Sequence, residues 1–242
     1  MPLHAEEVPA GELPAETVPV SGLTPLGRIV RLPGVYRPQE DTHLLATALA
    51  GMSLGRRARV LDYCTGSGAV AVAAARCGAE TVVAVDVSPR ATVSAWLNAQ
   101  LRRLPIRVRR GGLDVARRLG PYDVVLANPP YVPAAADRPP TGTRQHWNGG
   151  PDGRAVIGAL CVHARHLLRP GGSLLLVQSA VADPDRTVTE LRRAGLRARV
   201  AARTTIPFGP VMRDQSGFLL SRGLIEPGQD REDVVVIRGD RP

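Results

Sequence analysis

The chain has 242 residues, of which 44% are hydrophobic and 22% charged, with a formal net charge of +9. This length can bury one sizeable core, and no apolar run approaches the ~18 residues of a membrane span, so one domain without a membrane segment is expected. The N-terminus lacks a signal-peptide pattern, and the three cysteines are widely spaced. A protein of the reducing cytoplasm with no metal site is therefore expected.

The positive charge has two possible sources, because all basic residues other than histidine are arginine. A nucleic-acid partner is one. A coding bias toward Arg, Ala, Gly and Pro is the other, and we favour it. Arginines alternate with apolar residues over 106–109 and 196–200, which indicates solvated faces of strands instead of one recognition element. No specific nucleic-acid target is expected.

The N-terminal segment 1–23 is rich in Pro, Ala and Glu and shows no periodicity. It is expected to be a disordered or loosely attached arm in front of a single domain over 24–242. The first motif within this domain reads Val35-Tyr36-Arg37-Pro38-Gln39-Glu40-Asp41-Thr42. Asp41 or Thr42 is expected to cap the leucine-containing helix that follows.

A strand, a glycine turn and a helix come next, which is the context of a nucleotide-binding fingerprint. The strand covers 58–63, the turn reads Asp62-Tyr63-Cys64-Thr65-Gly66-Ser67-Gly68, and an alanine-rich helix covers 69–76. Gly66 and Gly68 allow tight turning and a close approach of the backbone to a ligand. Asp62, at the strand end, can bind an ammonium group directly or through water.

A second acidic residue, Asp86, ends the apolar strand over 81–85, and Val87 follows it. Asp86 stands 24 residues after Asp62, near the ~20 residues expected for an acid that holds ribose hydroxyls. Pro89 then begins a predicted helix. Two strand-end carboxylates in this context indicate an adenosine site, and solvated acids at strand ends are the alternative.

The chain is organised around Asn128-Pro129-Pro130-Tyr131, which follows an apolar strand over 122–127. Open α/β sheets bind ligands at the carboxyl ends of their strands, and two prolines stop the strand in a stiff loop. The carbonyls of the Asn128 side chain and the Pro129 backbone can accept both N–H bonds of a planar nitrogen, which aims its lone pair at an electrophile. Tyr131 can stack on the planar group. An ordinary proline-rich turn is the alternative.

A long Pro/Gly-rich loop over 132–151 comes next, and loops of this length in a compact domain are usually functional. Asp152 is expected to cap a helix whose apolar face carries Val156, Leu160, Ala164 and Leu167. Residues 173–177 and 234–237 predict further strands. The chain thus has about seven strands with interleaved helices.

Together these segments resemble the HemK-like class I S-adenosylmethionine-dependent N5-glutamine methyltransferases over about 35–177. The Asn-Pro-Pro-Tyr motif, the Val-Tyr-x-Pro-x-Glu-Asp-Thr segment and a Trp-x-Gly-Gly-x-x-Gly-Arg pattern carry the resemblance. It is closest to the branch typified by the eukaryotic and archaeal release-factor glutamine methyltransferases, which lacks a large N-terminal helical domain. It implies a Rossmann-like α/β fold, with a mostly parallel sheet of about seven strands and helices on both faces.

The resemblance also implies S-adenosylmethionine as cofactor and a release factor with a Gly-Gly-Gln tip as protein substrate. Members of this branch often need a small zinc-binding activator subunit. The implied catalytic residues are Asn128, Pro129 and Tyr131, and the substrate site adds Pro130, Val132 and Trp147. The implied cofactor residues are Thr42, Asp62, Cys64, Gly66, Gly68, Asp86, Val87, Gly112, Leu113, Asp114 and Asn128.

Two positions depart from the family pattern. Relatives usually carry glycine at the position of Cys64, which leaves the local loop conformation open. They commonly carry an acidic residue at the position of Gly112, where it reaches the adenine amino group. Either Asp114 substitutes for that acid, or backbone N–H groups and Leu113 hold the adenine.

Two rival functions stay open. A nucleic-acid methyltransferase acting on adenine N6 or cytosine N4 uses the same motif chemistry, but no recognition domain for DNA is evident. A non-catalytic protein that binds the cofactor or a partner is the other rival, motivated by Cys64 and Gly112. Trp147 is also open between buried packing and a wall of the substrate site.

Overall fold

The structure is a computed structural model that describes residues 15–24, 26–135 and 146–242. Eight strands in these ranges form one sheet: β1 (Glu16–Thr17), β2 (Arg59–Tyr63), β3 (Thr81–Asp86), β4 (Ile106–Arg110), β5 (Tyr122–Ala127), β6 (Leu168–Ser179), β7 (Arg197–Pro207) and β8 (Arg231–Asp240). The same ranges hold seven α-helices: α1 (Glu40–Ala50), α2 (Ala69–Arg76), α3 (Pro89–Arg102), α4 (Leu113–Leu119), α5 (Ala155–Leu167), α6 (Pro184–Arg193) and α7 (Pro210–Ser221).

The sheet order is β1-β7-β8-β6-β5-β2-β3-β4. Strand β8 runs antiparallel to both of its neighbours, and every other pair is parallel. The predicted α/β fold with a mostly parallel sheet is therefore confirmed. Helix α2 has the predicted bounds, whereas α4 and α7 were not predicted.

Two hydrophobic clusters cover the two faces of the sheet, because successive side chains of a strand point to opposite sides. Leu61 and Val125 pack with helices α4, α5 and α6. Their neighbours Val60 and Val124 pack with α1, α2 and α3. This burial on both faces explains the continuous apolar runs of the central strands.

Part of the segment expected to be a disordered or loosely attached arm, 1–23, lies against the sheet. Glu16 and Thr17 form β1, which pairs with the edge strand β7. Val18 is buried with the α1 side of the core. The chain is therefore attached to the sheet from residue 16, because backbone pairing and one buried side chain hold it there. Residues 1–14 of the expected arm lie outside the described residues.

The two predicted helix caps are wrong. Helix α1 begins at Glu40 after Gln39, which makes no side-chain cap, so Asp41 and Thr42 lie inside the first turn. Helix α5 follows Arg154 without a side-chain cap. Asp152 instead accepts the Arg154 N–H at 3.0 Å, in the turn before the helix. In both cases the polar side chain serves a different contact near the helix start.

Within the described ranges, no helix combines the length and the apolar character needed to cross a membrane.

Candidate active site

The carboxyl ends of β5, β2 and β3 lie side by side, because these strands are parallel neighbours. A cavity of about 670 Å³ opens at this edge of the sheet. It brings together most of the predicted site residues: Thr42, Asp62, Cys64, Gly66, Asp86, Val87, Asn128, Pro129, Pro130, Tyr131, Val132 and Trp147.

Four predicted cofactor residues do not line this cavity: Gly68, Gly112, Leu113 and Asp114. Gly68 has a left-handed φ of 80°, and a Cβ there would lie 2.9 Å from the Ala95 Cα, so it serves the packing of α2 against α3. Asp114 is exposed and forms an ion pair with Arg118 at 2.9 Å. Gly111, the residue before Gly112, lines the cavity instead.

The carboxamide of Asn128 is oriented by residues of α1. Its Nδ2 donates to Asp41 Oδ2 at 3.1 Å and to Thr42 Oγ1 at 3.2 Å. The Thr42 hydroxyl in turn donates to Asp41 Oδ1 at 2.9 Å, so Thr42 Oγ1 has an acceptor site for Asn128. A carboxylate fixes which end of the amide faces it, because it can only accept. The Asn128 Oδ1 therefore remains as the acceptor of the motif.

Asp41 is the centre of this hydrogen-bond network, a role that the sequence analysis missed. The side chain is 3% exposed, and Oδ2 also accepts from Tyr36 Oη at 2.8 Å and Tyr131 Oη at 3.1 Å. Five side chains from two segments of the chain, 36–42 and 128–131, thus hold one another in place. The Val-Tyr-x-Pro-x-Glu-Asp-Thr segment over 35–42 indicated that these residues belong to the site. The position of Asp41 near a predicted helix start favoured a capping role instead.

The glycine turn between β2 and α2 is held by two carboxylates. Asp62 Oδ2 accepts from Thr65 Oγ1 at 2.5 Å and from the Ala71 N–H at 2.9 Å. Asp86 accepts the N–H groups of Gly66 and Ser88, each at 2.9 Å. Burial raises the pKa of Asp62 to about 7 and also raises the pKa of Asp86.

Cys64 has a left-handed φ of 60°, the conformation that glycine adopts most easily. The cysteine therefore holds this loop in a left-handed conformation that a glycine would adopt without strain. Burial raises the pKa of its thiol well above the ordinary value, and the charges of Asp86 and Asp62 act in the same direction. The thiol is therefore neutral and unsuited to nucleophilic attack.

The loop after Tyr131 is tied to residues 147–154. Val132 donates its N–H to the Trp147 carbonyl at 2.9 Å, and Gly149 donates to the Val132 carbonyl at 2.9 Å. A Cβ on Gly153 would clash with the Tyr131 carbonyl, so only glycine fits there. Trp147 is half-buried, lines the cavity and also packs against the cluster around Phe208. Residues 136–145 of the expected loop lie outside the described residues.

Arg154 anchors residues 147–154, which form a wall of the cavity, to helix α6 and the turn before it. Its guanidinium donates to the carbonyls of Ala182 and Asp183 at 2.6 and 2.9 Å. It also pairs with Glu190 at 2.7 Å, and it is 4% exposed. A buried, multiply bonded arginine holds a loop rigidly. The Trp-x-Gly-Gly-x-x-Gly-Arg pattern thus describes a wall and its anchor.

Another wall of the cavity, formed by β7, α7 and the start of β8, was not predicted from the sequence. These residues carry no motif, and α7 was not recognised as a helix. They include two buried residues, Met212 and Glu232. The residues concerned are Ile206, Pro207, Gly209, Pro210, Val211, Met212 and Glu232.

The donor set at the ends of β2 and β3 suits S-adenosylmethionine. Asp62 is a buried acid that can pair with an ammonium group, and Asp86 is an acid at the end of the next strand, where ribose hydroxyls bind in nucleotide-binding folds. The backbone around Gly66 is open, because a Cβ there would meet no atom within 4 Å.

Comparisons with known proteins identify methyltransferases among the proteins similar to this chain. Residues 40–129 match the family described as ribosomal protein L11 methyltransferase (PrmA). The chain is 31% identical over 181 residues to a putative protein N5-glutamine methyltransferase of Methanocaldococcus jannaschii, covering 74% of this chain and 90% of that protein. It is 33% identical over 217 residues to the release factor glutamine methyltransferase of Mycobacterium tuberculosis, covering 82% of this chain and 70% of that enzyme.

The chain belongs to the HemK-like class of protein N5-glutamine methyltransferases. Its cofactor is S-adenosylmethionine. The methyltransferase also resembles the E. cuniculi Mtq2–Trm112 complex, which is responsible for methylation of the eRF1 termination factor. The TM-score is 0.59 at 25% identity, covering 86% of this chain and 99% of that chain. The ribosomal protein L11 methylase of Lactobacillus delbrueckii, at 20% identity and a TM-score of 0.55 over 91% and 92% of the two chains, shares the class I fold.

Proposed function

We propose that this enzyme methylates the N5 side-chain amide of a glutamine in a translation release factor. The observation that carries the proposal is the orientation of Asn128. Both N–H bonds of its amide are directed to α1 residues, at 3.1 and 3.2 Å. Its Oδ1 is thereby left to accept a hydrogen bond from a substrate amide.

The chemistry follows from what the motif can accept. A glutamine amide nitrogen is a weak nucleophile because its lone pair is delocalised into the carbonyl group. In this proposal the Asn128 side-chain carbonyl and the Pro129 backbone carbonyl accept its two N–H bonds, which aims the lone pair toward the cofactor half of the cavity. The same two acceptors stabilise the positive charge that develops on nitrogen.

The cofactor residues position the methyl donor. When bound, S-adenosylmethionine supplies a methyl group on a positively charged sulfur. Thr42, Asp62, Cys64, Gly66, Asp86 and Val87 are proposed to surround it, since these are the predicted cofactor residues that line the cavity. Once methylated, the amide nitrogen must release one proton to regain its neutral form. The planar groups of Tyr131 and Trp147 are proposed to enclose the substrate amide and exclude water.

The finer assignments are also proposals. We place the chain in the branch of the eukaryotic and archaeal enzymes, supported by the archaeal relative that it matches over 90% of that protein's length. We also propose a small activator subunit as partner, which the Mtq2–Trm112 complex supports. A release factor as substrate implies the cytoplasm as the compartment.

The test is methyl transfer from radiolabelled S-adenosylmethionine to a release factor that carries the Gly-Gly-Gln tip. Label should enter the wild-type factor and should be absent when its glutamine is replaced by alanine. The assay is run with and without a Trm112-type subunit. Transfer of label to DNA or RNA, with none to the factor, would instead support the nucleic-acid rival.

A further inference from the structure

One acidic residue in the cavity belongs to no motif. Glu232 is the second residue of β8. Because β8 is antiparallel to β6, its first residues lie at the edge where the parallel strands end. In register, Glu232 faces Ile206 of β7, and both residues line the cavity.

Glu232 is placed away from the cofactor acids by the order of the sheet. Strands β8 and β6 lie on one side of β5, and strands β2 and β3 lie on the other. Asp62 and Asp86 therefore stand at the cofactor side of Asn128, and Glu232 stands at the opposite side. Its register partner Ile206 and Met212 of α7 also line the cavity, so this wall carries apolar side chains beside the acid.

The Glu232 carboxyl is buried but only partly satisfied. It is 6% exposed, and Ser179 forms a side-chain hydrogen bond with it. Its Oε2 has no hydrogen-bond partner. Among the described residues, four buried side-chain polar atoms lack a partner, and the other three belong to Arg154, Thr204 and Arg241. Only Glu232 lines the cavity.

An unpaired buried carboxyl oxygen is costly, so its retention in a cavity requires an explanation. The charge of Glu232 is coupled to two ionisable groups of neighbouring elements. Burial raises its pKa to about 7, and the charge of Asp41 on α1 adds to the increase. Tyr131 is its other ionisable neighbour, because the Glu232 charge contributes to the raised pKa of that phenol. Glu232 is thus close enough for its charge to act on two members of the network that orients Asn128.

We propose that Glu232 is a substrate-binding residue whose carboxylate Oε2 accepts a hydrogen bond from an N–H group of the polypeptide that carries the target glutamine. This inference rests on the proposed function. An ionised carboxylate has acceptors only. A peptide segment that enters an apolar cavity loses water from its N–H groups and needs such an acceptor. Glu232 would therefore hold the substrate and leave the methyl transfer itself to the Asn128 loop.

The experiment compares the wild type with E232A and E232Q, each assayed at saturating S-adenosylmethionine against a Gly-Gly-Gln release factor. The matched control is E226Q, which makes the same change at an exposed glutamate. We expect E232A to raise the KM for the release factor by about tenfold or more, the scale of one hydrogen bond to a charged group. E232Q should raise it less, because its carbonyl still accepts. For both variants, kcat and the Kd for S-adenosylhomocysteine should stay near the wild-type values.

A pH profile separates substrate binding from a structural role. Since the carboxylate is the binding form, wild-type kcat/KM should rise with pH through about 7, and E232Q should lack this rise. Thermal melts show whether each variant folds. If E232A does not fold, the KM and the pH profile of E232Q test the inference.

An unchanged KM in both variants, a changed cofactor Kd, or a pH rise that persists in E232Q would overturn the inference while the wild type remains active. A wild type that methylates no glutamine would overturn the proposed function and this inference with it.

Discussion

The two halves of the cavity are held together by different kinds of contact. In the cofactor half, the two carboxylates accept mainly from backbone N–H groups, as Asp86 does from Gly66 and Ser88, with the Thr65 hydroxyl as the one side-chain donor shown for them among the described residues. In the substrate half, side chains bind side chains, as Asp41 does with Tyr131 and Asn128. Most substitutions leave a backbone N–H donor in place, whereas a single substitution removes a side-chain hydrogen-bond partner. Single substitutions should therefore cost more activity in the substrate half than in the cofactor half.

The largest loss is expected for Asn128→Asp. The introduced carboxylate would face Asp41 Oδ2, which now accepts from the Asn128 amide at 3.1 Å. Two carboxylates at this distance repel each other, so one must be protonated or move away. We expect single-turnover methyl transfer to a glutamine to fall by roughly three decades. Asp41→Asn in the same chain should restore part of the rate by removing the repulsion, and no restoration would argue against a direct contact.

In the cofactor half, Asp86→Ala should weaken the binding of S-adenosylhomocysteine by about 1–3 kcal/mol, the scale of a charge-assisted hydrogen bond. Asp86→Asn keeps one acceptor oxygen and should lose less. Calorimetric titration measures both, and the rate at saturating cofactor should change little. An unchanged affinity in Asp86→Ala would remove this residue from the site.

The affinity for the cofactor should also depend on pH through Asp62. Burial raises the pKa of this acid to about 7, and only the carboxylate pairs with an ammonium group. The affinity for S-adenosylhomocysteine should therefore rise with pH through this range, and binding at pH 6 should be roughly tenfold weaker than at pH 8. Asp62→Asn is the control, and the same pH dependence in that variant would assign it to another group.

The smallest effect is expected for Cys64→Gly. The left-handed φ of 60° at this position costs a non-glycine residue about 1 kcal/mol, and glycine regains this but increases the entropy of the unfolded chain. The free energy of unfolding should change by less than ~1 kcal/mol, with cofactor affinity retained. Cys64→Val, which is β-branched, should be clearly less stable in denaturant titrations, and equal stability would contradict the strain.

Local segments of the fold could be predicted from the sequence, and long-range contacts could not. Helix α2 was predicted with its observed bounds, because a glycine turn and an alanine run define both ends. The position of Asp86 followed from strand-end spacing. The role of Asp41 could not be predicted, because its partner Asn128 lies 87 residues away. The position of Glu232 in the cavity depends on the antiparallel pairing of β8 with its neighbours, which no short sequence pattern indicates.

The central claim is that Asn128 Oδ1 accepts a hydrogen bond from the glutamine amide in the transition state. Single-turnover methyl transfer by Asn128→Ala, at saturating S-adenosylmethionine and with circular dichroism as a fold control, tests it most directly. Loss of one aligned acceptor should slow transfer by about two to three decades, while the Kd for S-adenosylhomocysteine changes much less. A folded variant that transfers methyl groups at a near wild-type rate would contradict the claim and leave the Asn-Pro-Pro-Tyr segment as an ordinary turn.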